Sequence, residues 1–133
     1  MDTAKLGKLI LQGVKFYEDK EYLKAIELGR KVVNLDASIE PAWTLLGLSY
    51  IKIKDYTKSI DAYKNAIKLN PDNSSYWNYL GINYNQIKKE SEAKKAFQRA
   101  IELDPTNKAA HNNLKKTIEM EKKLWEILKN LPK

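Results

Sequence analysis

An all-α fold of repeated helical hairpins is what the sequence predicts, and two observations predict it. A motif returns after 34 residues, and the apolar spacing inside each copy fits one face of a helix. The stretch WTLLGLSY at 43–50 comes back as WNYLGINY at 77–84, so Trp43, Leu46, Gly47 and Tyr50 map onto Trp77, Leu80, Gly81 and Tyr84. The second half agrees, with Tyr63, Ala66 and Pro71 recurring as Phe97, Ala100 and Pro105, and Ser59 as Ala93. These units are 40–73 and 74–107, and a weaker first copy at 6–39 carries Leu9, Gly13, Phe16, Tyr22, Ala25 and Val32. Self-similarity at a fixed period marks stacked supersecondary units, none of which buries its apolar face alone.

Each element follows from the spacing. In the first copy, Leu9, Gly13 and Phe16 start one helix and Tyr22, Ala25 and Val32 a second, with Gln12 in the Leu slot and Gly29 in the aromatic slot. In the second copy, Trp43, Leu46, Gly47 and Tyr50 fall at i, i+3, i+4 and i+7, and Tyr56, Ile60, Tyr63 and Ile67 follow behind Asp55, a candidate N-cap. Asn-Pro-Asp-Asn at 70–73 and Asp-Pro-Thr-Asn at 104–107 stop the second helix of their units, because proline disfavours helix at the residue before it and has no N–H. Gly47 and Gly81 leave no side chain where the paired helix crosses, so two backbones are expected to approach closely there, helped by Ala66 and Ala100. Trp43, Trp77 and the tyrosines fill the wedge beside them.

The C-terminal segment departs from the period. Lys115 stands where Gly47 and Gly81 stood, which obstructs a tightly packed second helix and predicts a cap. Ala110, Leu114 and Ile118 can cover the third unit, while Lys108, Lys115, Lys116, Glu119, Lys122 and Lys123 keep the end soluble. No Gly or Pro intervenes before Pro132, so one capping helix over about 107–131 is the first reading. A shortened, bent fourth hairpin is the alternative, because Leu124, Leu128 and Leu131 keep the register of Glu90, Lys94 and Phe97. If the helix is straight, Leu124, Trp125, Leu128 and Leu131 form an apolar end that suits self-association, including a homodimer.

On these residues the chain resembles the tetratricopeptide repeat family, whose signature runs W-x2-L-G-x2-Y, A-x3-F, P at 34 residues. The resemblance covers 6–107 as three repeats, closely in the second and third. It implies a right-handed superhelix (α-solenoid) of three helix-turn-helix hairpins plus the capping helix, in one domain over 1–133. It also implies a concave groove, lined by the first helices, that takes a peptide or helix of a partner protein. The groove positions are Ile10, Val14 and Tyr17, then Thr44, Leu48 and Ile51, then Asn78, Ile82 and Asn85, with Asn112, Lys116 and Glu119 continuing them on the cap and Leu45, Tyr79 and Asn113 flanking the stripe. The groove so drawn is apolar toward the N-terminus and rich in amides toward the other end, where Asn side chains can both donate to and accept from a peptide backbone. Some members of the family clamp the carboxylate of chaperone tails with cations, but the five matching positions here read Ile10, Val14, Leu45, Ser75 and Tyr79. Starting one repeat later gives Thr44, Leu48, Tyr79, Ala109 and Asn113, which argues equally against a carboxylate clamp.

Other functions find little support. The one histidine, His111, occupies the Trp slot of the repeat and is read as packing, and no HExxH, phosphate loop or nucleophile elbow is present. No catalysis, cofactor or metal is expected. The formal charge is +7, from 24 Lys and Arg against 17 Asp and Glu, and residues 108–133 hold seven Lys against three acids. Such charge suits acidic partners or nucleic acid, but exposed aromatics for base stacking are few and the lysines are distributed around their helices. The absence of cysteine fits a reducing compartment, and no apolar run is long enough for a signal peptide or a membrane span, so the chain is read as cytoplasmic.

Overall fold

The computed structural model describes residues 2–132. Every regular element among them is an α-helix: α1 (Thr3–Glu18), α2 (Tyr22–Leu35), α3 (Glu40–Lys52), α4 (Tyr56–Leu69), α5 (Ser74–Gln86), α6 (Glu90–Leu103) and α7 (Lys108–Lys129). The chain divides into two compact units, one through Pro71 and one from Asp72.

Polar side chains start four of the helices. Asp2, Asp55, Asn73 and Asn107 accept from the backbone N–H of Lys5, Lys58, Ser75 and Ala110, which satisfies donors that a first turn otherwise leaves unpaired. α3 has Pro41 in its first turn instead, where a missing N–H costs nothing. α4 and α6 end at Leu69 and Leu103, two residues before Pro71 and Pro105.

The turn inside each hairpin repeats as faithfully as the helices do. Lys20, Lys54 and Lys88 take φ of 61°, 64° and 65°. The following N–H groups of Glu21, Asp55 and Lys89 reach back to the carbonyls of Phe16, Tyr50 and Tyr84 at 2.8, 2.9 and 2.9 Å. The lysine N–H groups meanwhile bond Tyr17, Ile51 and Asn85. This is the Schellman closure of a helix, with lysine in the left-handed position that usually falls to glycine.

In the unit through Pro71, α1 packs on α2, α2 on α3 and α3 on α4, and α1 also touches α3. Leu6, Val32 and Ala42 form one buried cluster, and Ile26, Leu46, Tyr50 and Ala62 form another with Trp43 against it. The indole of Trp43 donates to the Ala37 carbonyl at 2.8 Å, so its polar edge is satisfied while its rings pack. A Cβ on Gly47 would lie 2.5 Å from Cε2 of Tyr63, so the glycine makes room for a ring, and Ser59 Oγ of α4 donates to the Gly47 carbonyl at 2.8 Å. The first hairpin lacks that ring because Gly29 occupies its slot, and α3 fills the space. Leu45 Cδ2 would meet a Cβ on Gly13 at 2.6 Å, and Leu46 would meet one on Gly29 at 2.9 Å.

In the unit from Asp72, α5 packs on α6, and α7 packs mainly on α6 and also on α5. Ala93, Ala96, Phe97 and Ala100 are buried, and a Cβ on Gly81 would lie 2.5 Å from Cε1 of Phe97. Ser74 Oγ donates to the Ala100 carbonyl at 2.8 Å and accepts from Asn107 Nδ2 at 2.7 Å, which ties the starts of α5 and α7 to the end of α6. The C-terminal segment is one uninterrupted helix of 22 residues, not a bent hairpin. Ala110 and Thr117 are its buried residues, Lys115 is exposed, and Lys94 holds Glu121 at 2.8 Å. Every described residue after Glu121 is exposed.

Candidate functional site

The first helices of the hairpins carry the residues singled out for partner binding. On α1, Val14 is 37% exposed, whereas Ile10 packs partly against the cluster of Leu6, Val32 and Ala42. Tyr17 is half-buried edge-to-face against Tyr22 of α2, with ring centroids 5.5 Å apart. On α3, Leu48 and Ile51 are half-buried and Thr44 Oγ1 donates to the Pro41 carbonyl at 2.9 Å. Leu45 is 5% exposed, because its side chain fills the space at Gly13 and serves the α1–α3 contact. Leu11, at the corresponding position one repeat earlier, is 71% exposed. The 34-residue register from Leu45 would have found it.

The amide-rich half is organised differently from the expectation. Asn78 is 8% exposed and its Oδ1 accepts from Asn113 Nδ2 at 3.0 Å. Asn85 Nδ2 donates to Thr117 Oγ1 at 2.8 Å, and that hydroxyl donates in turn to the Asn113 carbonyl at 2.8 Å. Three of the amides expected to face a peptide therefore stitch α7 to α5. Tyr79 and Ile82 are half-buried and Asn112 is exposed. The partner of Asn85, Thr117, lies 32 residues further on, and nothing in the repeat signature points to it.

His111 is exposed, and its Nε2 lies 2.9 Å from the Pro105 carbonyl, six residues back. Trp43 makes the same contact to Ala37, so the histidine takes over the backbone tie of the tryptophan slot. Among the described residues no group of three or more His, Cys, Asp or Glu could hold a metal ion. No helix among them is long and apolar enough to cross a membrane. The end of α7 is a second candidate surface: Leu124, Trp125, Leu128 and Leu131 are 52–65% exposed, and Met120 and Ile127 join them at 55% and 61%.

Models of the tetratricopeptide repeat match residues 41–73 and 74–107, together half of the chain. No curated protein sequence matches it. Among solved structures, the first such domain of Spaghetti (RPAP3), bound to the HSP90 peptide SRMEEVD, is 26% identical. That match covers 90% of this chain and 95% of the other, with a TM-score of 0.85. The second domain of human RPAP3, in complex with the HSP70 peptide SGPTIEEVD, is 26% identical over 80% of this chain and 88% of the other, with a TM-score of 0.77. The secretion chaperone SycD of Yersinia enterocolitica, in complex with a peptide of the translocator YopD, shares the fold at 15% identity, a TM-score of 0.85, and 90% and 97% coverage. With its repeats matched in sequence and its helices superposing on solved domains of this kind, the chain belongs to the tetratricopeptide repeat family.

Proposed function

We propose that the chain is a non-catalytic adaptor that holds a segment of a partner protein, an extended peptide or a helix, against the first helices of its hairpins by an apolar anchor. The observation that carries this reading is the row of Val14, Leu48 and Ile51, apolar side chains left partly open on α1 and α3. Leu11 extends the apolar surface of α1. The two RPAP3 domains, similar to this chain at 26% identity, were solved with peptides bound, which supports a protein partner here. The occupant differs in chemistry. Those peptides end in EEVD, an acidic tail, whereas Ile10, Val14, Leu45, Ser75 and Tyr79 offer no cation at the matching positions. The absence of cysteine supports placing this adaptor in the cytoplasm.

The test uses two probes in fluorescence anisotropy: labelled SRMEEVD, and peptides selected on the full chain from a random displayed library. Selected peptides are expected to share a large apolar residue and to bind at about micromolar Kd, roughly 8 kcal/mol. They should lose binding to Leu48→Glu while the far-UV circular dichroism of that variant is unchanged, and SRMEEVD should stay unbound. Tight binding of SRMEEVD, or selected peptides indifferent to Leu48→Glu, would overturn the reading.

A further inference from the structure

We infer that the exposed end of α7 is a self-pairing surface, on which a second copy of this chain lays its own α7 in antiparallel fashion. The inference stands apart from the peptide-binding reading and uses only the unit from Asp72.

Helical geometry at 3.6 residues per turn puts Ile127, Met120, Leu131, Leu124, Leu128 and Trp125 on one arc of about 160°. The same arc contains Ala110 and Thr117, the residues by which the first half of α7 is buried. The face by which α7 packs within its own unit therefore continues for two more turns after the neighbouring helices have run out. A free surface helix normally turns polar there, and this one keeps the pattern of a helix with something to pack on. Two shallow clefts, about 660 and 530 Å³, lie on either side of Trp125 against the start of α6.

A second copy is the occupant that these features select. The stripe Met120, Leu124, Ile127, Leu131 has spacings of 4, 3 and 4 and reads the same in both directions, so antiparallel pairing sets Leu124 against the partner's Ile127 and Met120 against the partner's Leu131. Charge permits it, since residues 119–131 hold three Glu and three Lys. Six large apolar side chains, each more than half exposed, make a patch on the scale of about 300–600 Å², the size of the largest and often functional patch of a monomer. That falls short of the roughly 800 Å² per partner of a tight complex, so the dimer is concentration-dependent.

Light scattering of the full chain from about 10 μM to about 1 mM brackets the Kd expected of such a patch. The mass should rise toward twice the monomer value, and Leu128→Glu should hold the monomer value throughout. Leu11→Glu, at a more exposed leucine in the other unit, should dimerise as the parent does. A parent that stays monomeric overturns the inference. So does a dimer that survives Leu128→Glu, or one lost equally in Leu11→Glu. The chain has no cysteine, so a mixture of Leu124→Cys and Ile127→Cys chains gives a readout that does not depend on the charged variant. Oxidation should cross-link the mixture more than either chain alone, and equal or absent cross-linking overturns the antiparallel pairing.

Discussion

The ring of Phe97 lies where a side chain on Gly81 would have to go: a Cβ there would sit 2.5 Å from Cε1, 2.6 Å from Cδ1 and 2.8 Å from Cζ. A planar ring buried at 0% exposure cannot swing aside, so α5 and α6 must separate if the glycine gains a methyl.

Gly81→Ala is therefore expected to destabilise the fold. Overpacking costs about 1–3 kcal/mol and the better helix propensity of alanine returns about 1, leaving a net loss of up to about 2 kcal/mol. Gly13→Ala meets the end of the flexible Leu45 side chain instead, at 2.6 Å, and should come out within about 0.5 kcal/mol of neutral. Urea midpoints of the two variants, measured together, check the ordering. Equal losses would mean that the ring is not what sets the cost.

The three left-handed lysines make the opposite prediction. Lys54 and Lys88 hold φ near 65° in the closing turn of α3 and α5, a conformation that burdens any residue with a Cβ by about 1 kcal/mol. Their backbone bonds do not involve the side chain, so Lys54→Gly and Lys88→Gly should each stabilise by about 0.5–1 kcal/mol and raise Tm. Lys54→Ala, which keeps the Cβ, is the control and should gain nothing.

Two aspartates set an acid dependence. Asp36 accepts from both Oγ and N–H of Ser38, at 2.6 and 2.9 Å, and Asp104 accepts from Oγ1 and N–H of Thr106, at 2.6 and 3.0 Å. The side-chain hydroxyl first, and then the backbone N–H, hold both carboxyls below their usual value of 3.8. A carboxyl lowered in the fold stabilises it above the unfolded value, and that stabilisation is lost as pH falls through the lowered one. Stability should therefore drop as the solution is taken below pH ~4. Asp36→Asn with Asp104→Asn should flatten that part of the profile. Urea midpoints against pH read the difference, and a variant profile parallel to the parent's would refute it.

How much of this was legible can be argued from particular residues. Trp43, Gly47 and Tyr50 announce their helix because close packing permits few residue types at each slot, and the period multiplies the signal. The same letters do not say what the glycine makes room for, since Gly47 and Tyr63 are 16 residues apart on different helices and only the crossing brings them together. The leucines that replace the missing ring at Gly29 were invisible for the same reason. Among the binding candidates, Val14 and Leu48 are found by counting along the helix. Asn78 and Asn85 look free by that count and prove engaged, because their partners lie on the helix that breaks the period.

That engagement gives the last prediction. Asn78 is 8% exposed, and the donor to its Oδ1 is Asn113 Nδ2 at 3.0 Å. Asn113→Ala removes the donor and leaves a buried acceptor without it, which costs about 1–3 kcal/mol. Replacing both residues by leucine removes the acceptor along with its need for a donor, so the Asn78→Leu, Asn113→Leu pair should recover most of the loss. The contact joins α7 to α5, so hydrogen exchange at the start of α7 should accelerate in Asn113→Ala more than exchange in α2. A double variant as unstable as the single, with exchange raised evenly along the chain, would show that the amide pair does not hold α7 in place.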